Sequence, residues 1–242
     1  KLVRVPETEE EVKAGTIGAG FETFVVVGPV LIYRNPCLDP GDHRVVTAVY
    51  KPELLYWKNV ALLPAADSLC SRSLSAECSG GDLDGDMFGV IWDHRLVPPL
   101  ELTFPAVDYD QVIKEAKAKQ AEPEVVDWAD SARMRERIAE FIARAMCNSC
   151  LGKIAVLHLA VCDQLSHRAG RRGKGAGDPL ARELAKAQSL AVDFPKTGVP
   201  PVVPKDAKAL VRRNGRPHFM EKTETMSYLS EQSLGLLYDV VS

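Results

Sequence analysis

Residues 78–93 read CSGGDLDGDMFGVIWD, and no other stretch constrains the fold as much. Asp82, Asp84 and Asp86 stand at alternate positions. In an extended or tightly looped segment, alternate side chains point to one side. Three carboxylates brought together without a cation repel one another, and their pKa values should rise. A divalent ion removes the conflict. Hard oxygen donors in this number suit Mg²⁺, with Mn²⁺ the other candidate. Gly80, Gly81 and Gly85 permit positive φ and close approach of a second backbone or a phosphate. The apolar run Met87-Phe88-Gly89-Val90-Ile91-Trp92 that follows predicts a strand able to hold the loop rigidly.

Other acidic loops are weighed against this one. An EF-hand needs Gly at its sixth position and Glu at its twelfth. Here those positions are Met87 and Asp93, and a strand replaces the expected helix. A haloacid-dehalogenase-type phosphatase places Thr fifth and enters the loop from an apolar strand. Here the fifth residue is Asp86, glycines precede the loop and the apolar strand comes after it. A plain acidic surface turn would explain the run if it stood alone.

It does not stand alone. Arg34-Asn35-Pro36-Cys37-Leu38-Asp39-Pro40-Gly41-Asp42 lies upstream, and Glu77-Cys78-Ser79-Gly80-Gly81 leads into the aspartates. Downstream come Ala191-Val192-Asp193-Phe194-Pro195-Lys196-Thr197-Gly198, then Pro217-His218-Phe219-Met220-Glu221-Lys222, then the LGLLY run at 234–238. In this order and spacing the elements resemble the cellular RNA-dependent RNA polymerases of eukaryotic RNA silencing. The acidic loop is also similar, more distantly, to that of the largest subunit of multisubunit RNA polymerases. The likeness runs from about residue 24 to the C-terminal end and is far more specific than any single motif.

The resemblance implies an α+β chain: a double-psi β-barrel with the DLDGD metal loop over residues 1–100, then a mainly helical region over 101–242. It implies Mg²⁺-dependent nucleotidyl transfer from NTPs onto an RNA 3′-hydroxyl, making double-stranded RNA for silencing. Asp82, Asp84 and Asp86 become the catalytic metal ligands. Arg34 and Asn35 become candidate ribose or phosphate contacts, and Lys196 a candidate RNA contact. One departure is plain. Multisubunit polymerases carry Asn two residues before the first Asp, where this chain has Gly80, so sugar discrimination would be arranged differently. The expected partners are template and product RNA, NTPs, and the remainder of a parent polymerase with a second barrel. The expected location is intracellular, in nucleus or cytoplasm. The alternative from another class is a non-catalytic, polymerase-derived module that binds nucleic acid or protein.

Composition agrees with a globular protein of one or two domains at 242 residues. No apolar run approaches the roughly 18–20 residues of a membrane span, and the N-terminus is no signal peptide. Starting at Lys1, the chain looks like a piece of something longer. The net charge of −3 hides an asymmetry. Residues 1–130 carry 12 Lys+Arg against 22 Asp+Glu, and residues 131–242 carry 18 against 11. Phosphate backbones would face the basic half. One basic cluster there is Lys205, Lys208, Arg212, Arg213 and Arg216. The other is Arg168, Arg171, Arg172 and Lys174 in a glycine-rich loop expected to be mobile.

Strands are expected over 24–33 with a break at Gly28-Pro29, and over 44–50, 60–63 and 87–92. Beyond Pro98-Pro99 the period becomes helical. Met134, Ile138, Phe141, Ile142, Ala145 and Met146 make one apolar stripe. Leu151, Ile154, Ala155, His158, Val161, Cys162 and Leu165 make the next. Asp178-Pro179 predicts a helix start running to Val192, and a last helix is expected over about 228–240. The six cysteines read as thiols, with Cys147 and Cys150 buried rather than zinc-binding. His158 reads as a core histidine.

Overall fold

The computed structural model describes residues 2–5, 23–68, 70–120, 129–147, 150–168, 175–220 and 226–242. Two units emerge, Lys1–Val107 and Asp108–Ser242. Together they make an α+β chain, sheet first and helices after.

In the first unit, β1 (Leu2–Val5) pairs antiparallel with β2 (Thr23–Val26). The chain breaks before Gly28, whose φ of 103° suits only glycine, and continues as β3 (Gly28–Arg34). β3 is the central strand of an antiparallel sheet, between β4 (His43–Ala48) and β5 (Phe88–Ile91). Val30 and Ile32 are buried on one face of β3, a period of two in burial that the continuous apolar run Val30-Leu31-Ile32-Tyr33 does not display. On the other face Tyr33 lies opposite Gly89 of β5. The ring occupies the space a Cβ at Gly89 would need.

The strand expected over 60–63 does not form. Val60 and Leu62 are 54% and 52% exposed in irregular backbone. A short apolar run with one β-branched residue and no strand paired to it among the described residues gains little from extending.

The unit boundary falls past Pro98-Pro99 because arginines stitch the next segment to the sheet unit. Arg44 donates to the Phe104 carbonyl at 3.1 Å. Arg72 donates to the Val107 and Ala106 carbonyls at 2.8 and 3.3 Å. Asp108 then accepts from the Gln111 amide at 2.9 Å and starts a helix.

The second unit contains, after the four-residue helix α1 (Leu74–Glu77) of the first, helices α2 (Tyr109–Ala118), α3 (Ser131–Cys147), α4 (Leu151–Arg168), α5 (Pro179–Thr197), α6 (Lys205–Asn214) and α7 (Ser233–Val241). Its core is Ile154 and Val161 of α4, Ala181, Leu184 and Ala187 of α5, and Ala207 of α6. α5 begins where Asp178 accepts from the Leu180 amide at 2.9 Å, with Pro179 in the first turn. It runs five residues past the expected Val192 and ends at Gly198 in the left-handed conformation, φ 67°. His158 is buried with its Nε2 3.5 Å from Cys162 Sγ, a core histidine.

The expected α3 stripe forms on a helix, and much of it stands in solvent: Ile138, Ile142 and Met146 are exposed, while Phe141 stacks on Phe194 at 5.9 Å. The last helix starts at Ser233 rather than near 228. Tyr228 belongs instead to β7 (Ser227–Tyr228), paired parallel with β6 (Arg216–Pro217). Its hydroxyl donates to buried Asp163 at 2.6 Å, and Ser230 donates to the other oxygen at 2.7 Å. Residues 169–174 of the loop expected to be mobile, Arg171, Arg172 and Lys174 among them, lie outside the described residues, as do the side chains of Arg168 and Cys147. Cys150 is half-buried.

Leu184→Ala should destabilise the protein by about 2–5 kcal/mol, because a fully buried side chain leaves a cavity. Asp178→Ala should cost about 0.5–2 kcal/mol through the lost cap. Denaturant unfolding of the two variants checks both values and their order.

Candidate metal centre

The acidic loop is held from both ends. Upstream, Ser73 accepts from the Ala76 amide at 3.2 Å and starts α1. The amides of Gly80 and Gly81 then donate to the Ala76 and Ser75 carbonyls at 3.2 and 3.1 Å. Gly81 packs so tightly on this turn that a Cβ would lie 2.6 Å from Ser75 Oγ. Downstream, β5 fixes the exit by pairing Phe88 with Arg34 of β3.

Between these anchors the backbone curls rather than extends. Leu83 has φ 64° and Gly85 φ 114°. Asp86 closes the curl. Its Oδ2 accepts from the amides of Asp82 and Leu83, both at 3.1 Å. Its Oδ1 accepts from Arg34 Nε. Arg34 also donates through Nη1 to the Ser79 carbonyl at 3.2 Å, and Ser79 Oγ donates to the Arg34 carbonyl at 3.0 Å. The Asp86 side chain is only 6% exposed, whereas Asp82 and Asp84 face solvent.

The outcome is convergence. One carboxylate oxygen from each of Asp82, Asp84 and Asp86 lies within 4.8 Å of the others. Like charges about 4 Å apart repel by about 1 kcal/mol in water and about 4 kcal/mol at the effective dielectric of a protein surface. The Arg34 guanidinium offsets part of this. Three hard oxygen donors, two of them open to solvent, fit a divalent cation that keeps waters or takes phosphate oxygens as further ligands. These residues could therefore hold a metal ion.

The turn that follows Arg34 is itself caged by carboxylates. Asp42 Oδ2 accepts from the amides of Leu38 and Asp39 at 3.1 and 2.9 Å. Asp39 Oδ1 accepts from the Gly41 amide at 2.8 Å. Both aspartates are buried. Burial of the thiol, then the charges of Asp42 and Asp39, push Cys37 up to about 11. Cys78, beside the loop, is pushed up to about 12, mainly by burial.

The other candidate residues stand as follows. Asn35 is exposed, next to Arg34, at a cis Asn35–Pro36 peptide. Lys196 is exposed in the last turn of α5. Lys205, Lys208, Arg212 and Arg213 all lie on the exposed side of α6, opposite Ala207, which is buried in the core. Lys196 and the α6 cluster belong to the second unit and the aspartates to the first. The double role of Asp86, and the pairing of Arg34 with it, escape sequence reading. The two residues are 52 positions apart, and only the β3–β5 register brings them together.

The RNA dependent RNA polymerase family model matches residues 4–241, and the chain belongs to that family. It is 37% identical to RNA-dependent RNA polymerase 1 of Arabidopsis thaliana over 89% of this chain and 17% of that protein. It is 34% identical to RNA-dependent RNA polymerase 1 of Schizosaccharomyces pombe over 98% of this chain and 18% of that protein. The chain thus spans less than a fifth of the length of these two curated relatives. Its fold is similar to the structure of the RNA dependent RNA polymerase QDE-1 from Thielavia terrestris, with TM-score 0.50 and 22% identity, covering 85% of this chain and 22% of that one.

At about pH 8, iodoacetamide should label exposed Cys70 readily and leave Cys37 and Cys78 largely unreacted. Burial raises the last two, so the reactive thiolate is scarce until the pH nears 11 to 12. Peptide mapping after timed alkylation reads the order.

Proposed function

We propose that this chain is the catalytic portion of a longer RNA-directed RNA polymerase, transferring nucleotides from NTPs onto an RNA 3′-hydroxyl and making double-stranded RNA for silencing. The observation that carries the reading is the convergence of Asp82, Asp84 and Asp86 on one anchored loop, in a chain of this family. The reading makes these three the ligands of Mg²⁺, with Mn²⁺ as a substitute. Bound there, the ion would make the attacking hydroxyl a better nucleophile and neutralise charge on the transferring phosphate.

The protein's own side chains do the rest by position. Arg34 and the Asp82 and Leu83 amides fix Asp86, so the site is formed before substrate arrives. Arg34 and Asn35 meet the ribose or a phosphate in this reading; Asn35 is the more exposed of the two, and Arg34 already spends its Nε on Asp86. Lys196 and the α6 cations Lys205, Lys208, Arg212 and Arg213 serve the RNA backbone, a role that their exposure and charge support. We read the sheet that carries the loop as part of a double-psi β-barrel. The antiparallel order β4-β3-β5 beside the metal loop, in a chain of this family, supports this. The remaining surfaces, a second barrel among them, belong in this reading to the rest of the polymerase, which works inside the cell, in nucleus or cytoplasm. Among the described residues no helix is long and apolar enough to cross a membrane.

Asp84→Ala in the full polymerase should abolish nucleotide incorporation while leaving circular dichroism unchanged. The exposed Asp84 can be removed with relief rather than loss of charge balance, and the site keeps only two donors. Primer extension together with the spectrum decides. Full activity in the variant would remove Asp84 from the site and favour a non-catalytic, polymerase-derived module.

A further inference from the structure

The second unit contains an open cavity of about 260 Å³, lined by Gln164, His167, Arg213, Asn214, Met226 and Tyr228. Three elements build it: the end of α4, the end of α6, and the chain entering β7. Nothing in the metal centre uses it. Its walls are chemically distinct. His167 and Tyr228 form an aromatic wall, with ring centroids 5.1 Å apart and planes at 37°. Met226 is 58% exposed and adds a polarisable thioether. Arg213 stands exposed in the last turn of α6.

The frame behind these groups is fixed. Buried Gln164 donates to the Gly215 carbonyl and accepts from the Asn214 side-chain amide at 3.1 Å. That locks α4 to the end of α6. The Tyr228 hydroxyl donates to buried Asp163, which sets the angle of its ring. A site whose supporting residues are already bonded loses little entropy when a ligand enters.

The geometry points to a binding pocket for one unpaired base of single-stranded RNA, with the flanking phosphate on Arg213. The volume falls below the 300–1,000 Å³ typical of drug-sized ligands and suits a single ring system. Aromatic faces stack on any base, because every base has a π face. The exposed cations of α6 lead to the rim, so a strand following Lys205, Lys208 and Arg212 arrives at Arg213. The C-terminal end of a helix repels anions. The phosphate therefore sits out at the guanidinium and the uncharged base goes in. The inference depends on the polymerase reading only for the identity of the ligand as RNA.

Binding of a short fluorescent oligouridylate to the full polymerase, titrated at several salt concentrations, tests the pocket. Two exposed residues are changed, so that folding is spared: His167→Ala and Arg213→Ala. His167→Ala should weaken binding about five-fold, the low end for loss of a stacking partner, and leave the log–log salt slope unchanged. Arg213→Ala should also weaken binding but lower the slope by about 0.7, one phosphate contact on a single strand. An abasic strand of equal length should bind wild type and His167→Ala alike. Equal affinity of wild type and His167→Ala for oligouridylate would overturn the pocket, and so would an equal loss on the abasic strand. Nucleotide incorporation by the same wild-type preparation separates the two readings. Incorporation without a His167 effect sinks the pocket alone. A His167 effect without incorporation sinks the polymerase reading and leaves the pocket standing.

Discussion

The contact between Arg34 and Asp86 is the constraint on which the first unit's chemistry depends. It joins the end of β3 to a loop 52 residues further along the chain. The same guanidinium reaches the Ser79 carbonyl, and Ser79 returns a hydrogen bond to the Arg34 carbonyl. A lysine could not make this two-point contact, because its charge is a single point without the planar fork. Asp86 in turn gathers the amides of Asp82 and Leu83. One buried carboxylate thus shapes the loop, while two exposed ones complete the donor set. The arrangement divides work: Asp86 gives geometry, and Asp82 and Asp84 give access.

That division explains why the flanking motifs read as they do. Asp39 and Asp42 satisfy buried backbone amides and so fix the turn that follows Arg34. Gly41 and Gly89 leave room for the Pro105 carbonyl and for the Tyr33 ring. The AVDFPKTG element is likewise largely a helix end. Thr197 donates to the Asp193 carbonyl at 2.9 Å and accepts from the Val199 amide at 3.2 Å. In the second unit, Asp163 does for Tyr228 and Ser230 what Asp86 does for the metal loop.

Local chemistry was legible in the sequence, and long-range pairing was not. Asp178-Pro179 announces a helix start by capping chemistry alone, and the Val- and Ile-rich run over 24–33 announces strands broken at Gly28-Pro29. Both readings need only neighbours within a few positions. The failures lie where a distant partner decides. Residues 60–63 look like a strand but find nothing to pair with. Tyr228 looks helical but is held by a carboxylate 65 positions away. The exposed stripe on α3 shows the same limit, since amphipathic spacing says which face is apolar and not what covers it. At the site, the three aspartates could be read directly from their spacing. Arg34 could be singled out, but its partner could not.

If Arg34 and Asp86 pre-form a three-carboxylate site for a divalent ion, metal affinity depends on both the donors and the guanidinium that fixes them. Electron paramagnetic resonance titration of Mn²⁺ into the full polymerase, alongside Asp84→Asn and Arg34→Lys, measures that dependence. Asp84→Asn should lose the tight ion. Arg34→Lys should bind it about ten- to a hundred-fold more weakly, the usual effect of disturbing a residue that orients a metal ligand. Mn²⁺ binding of wild-type affinity in both variants would contradict the pre-formed site.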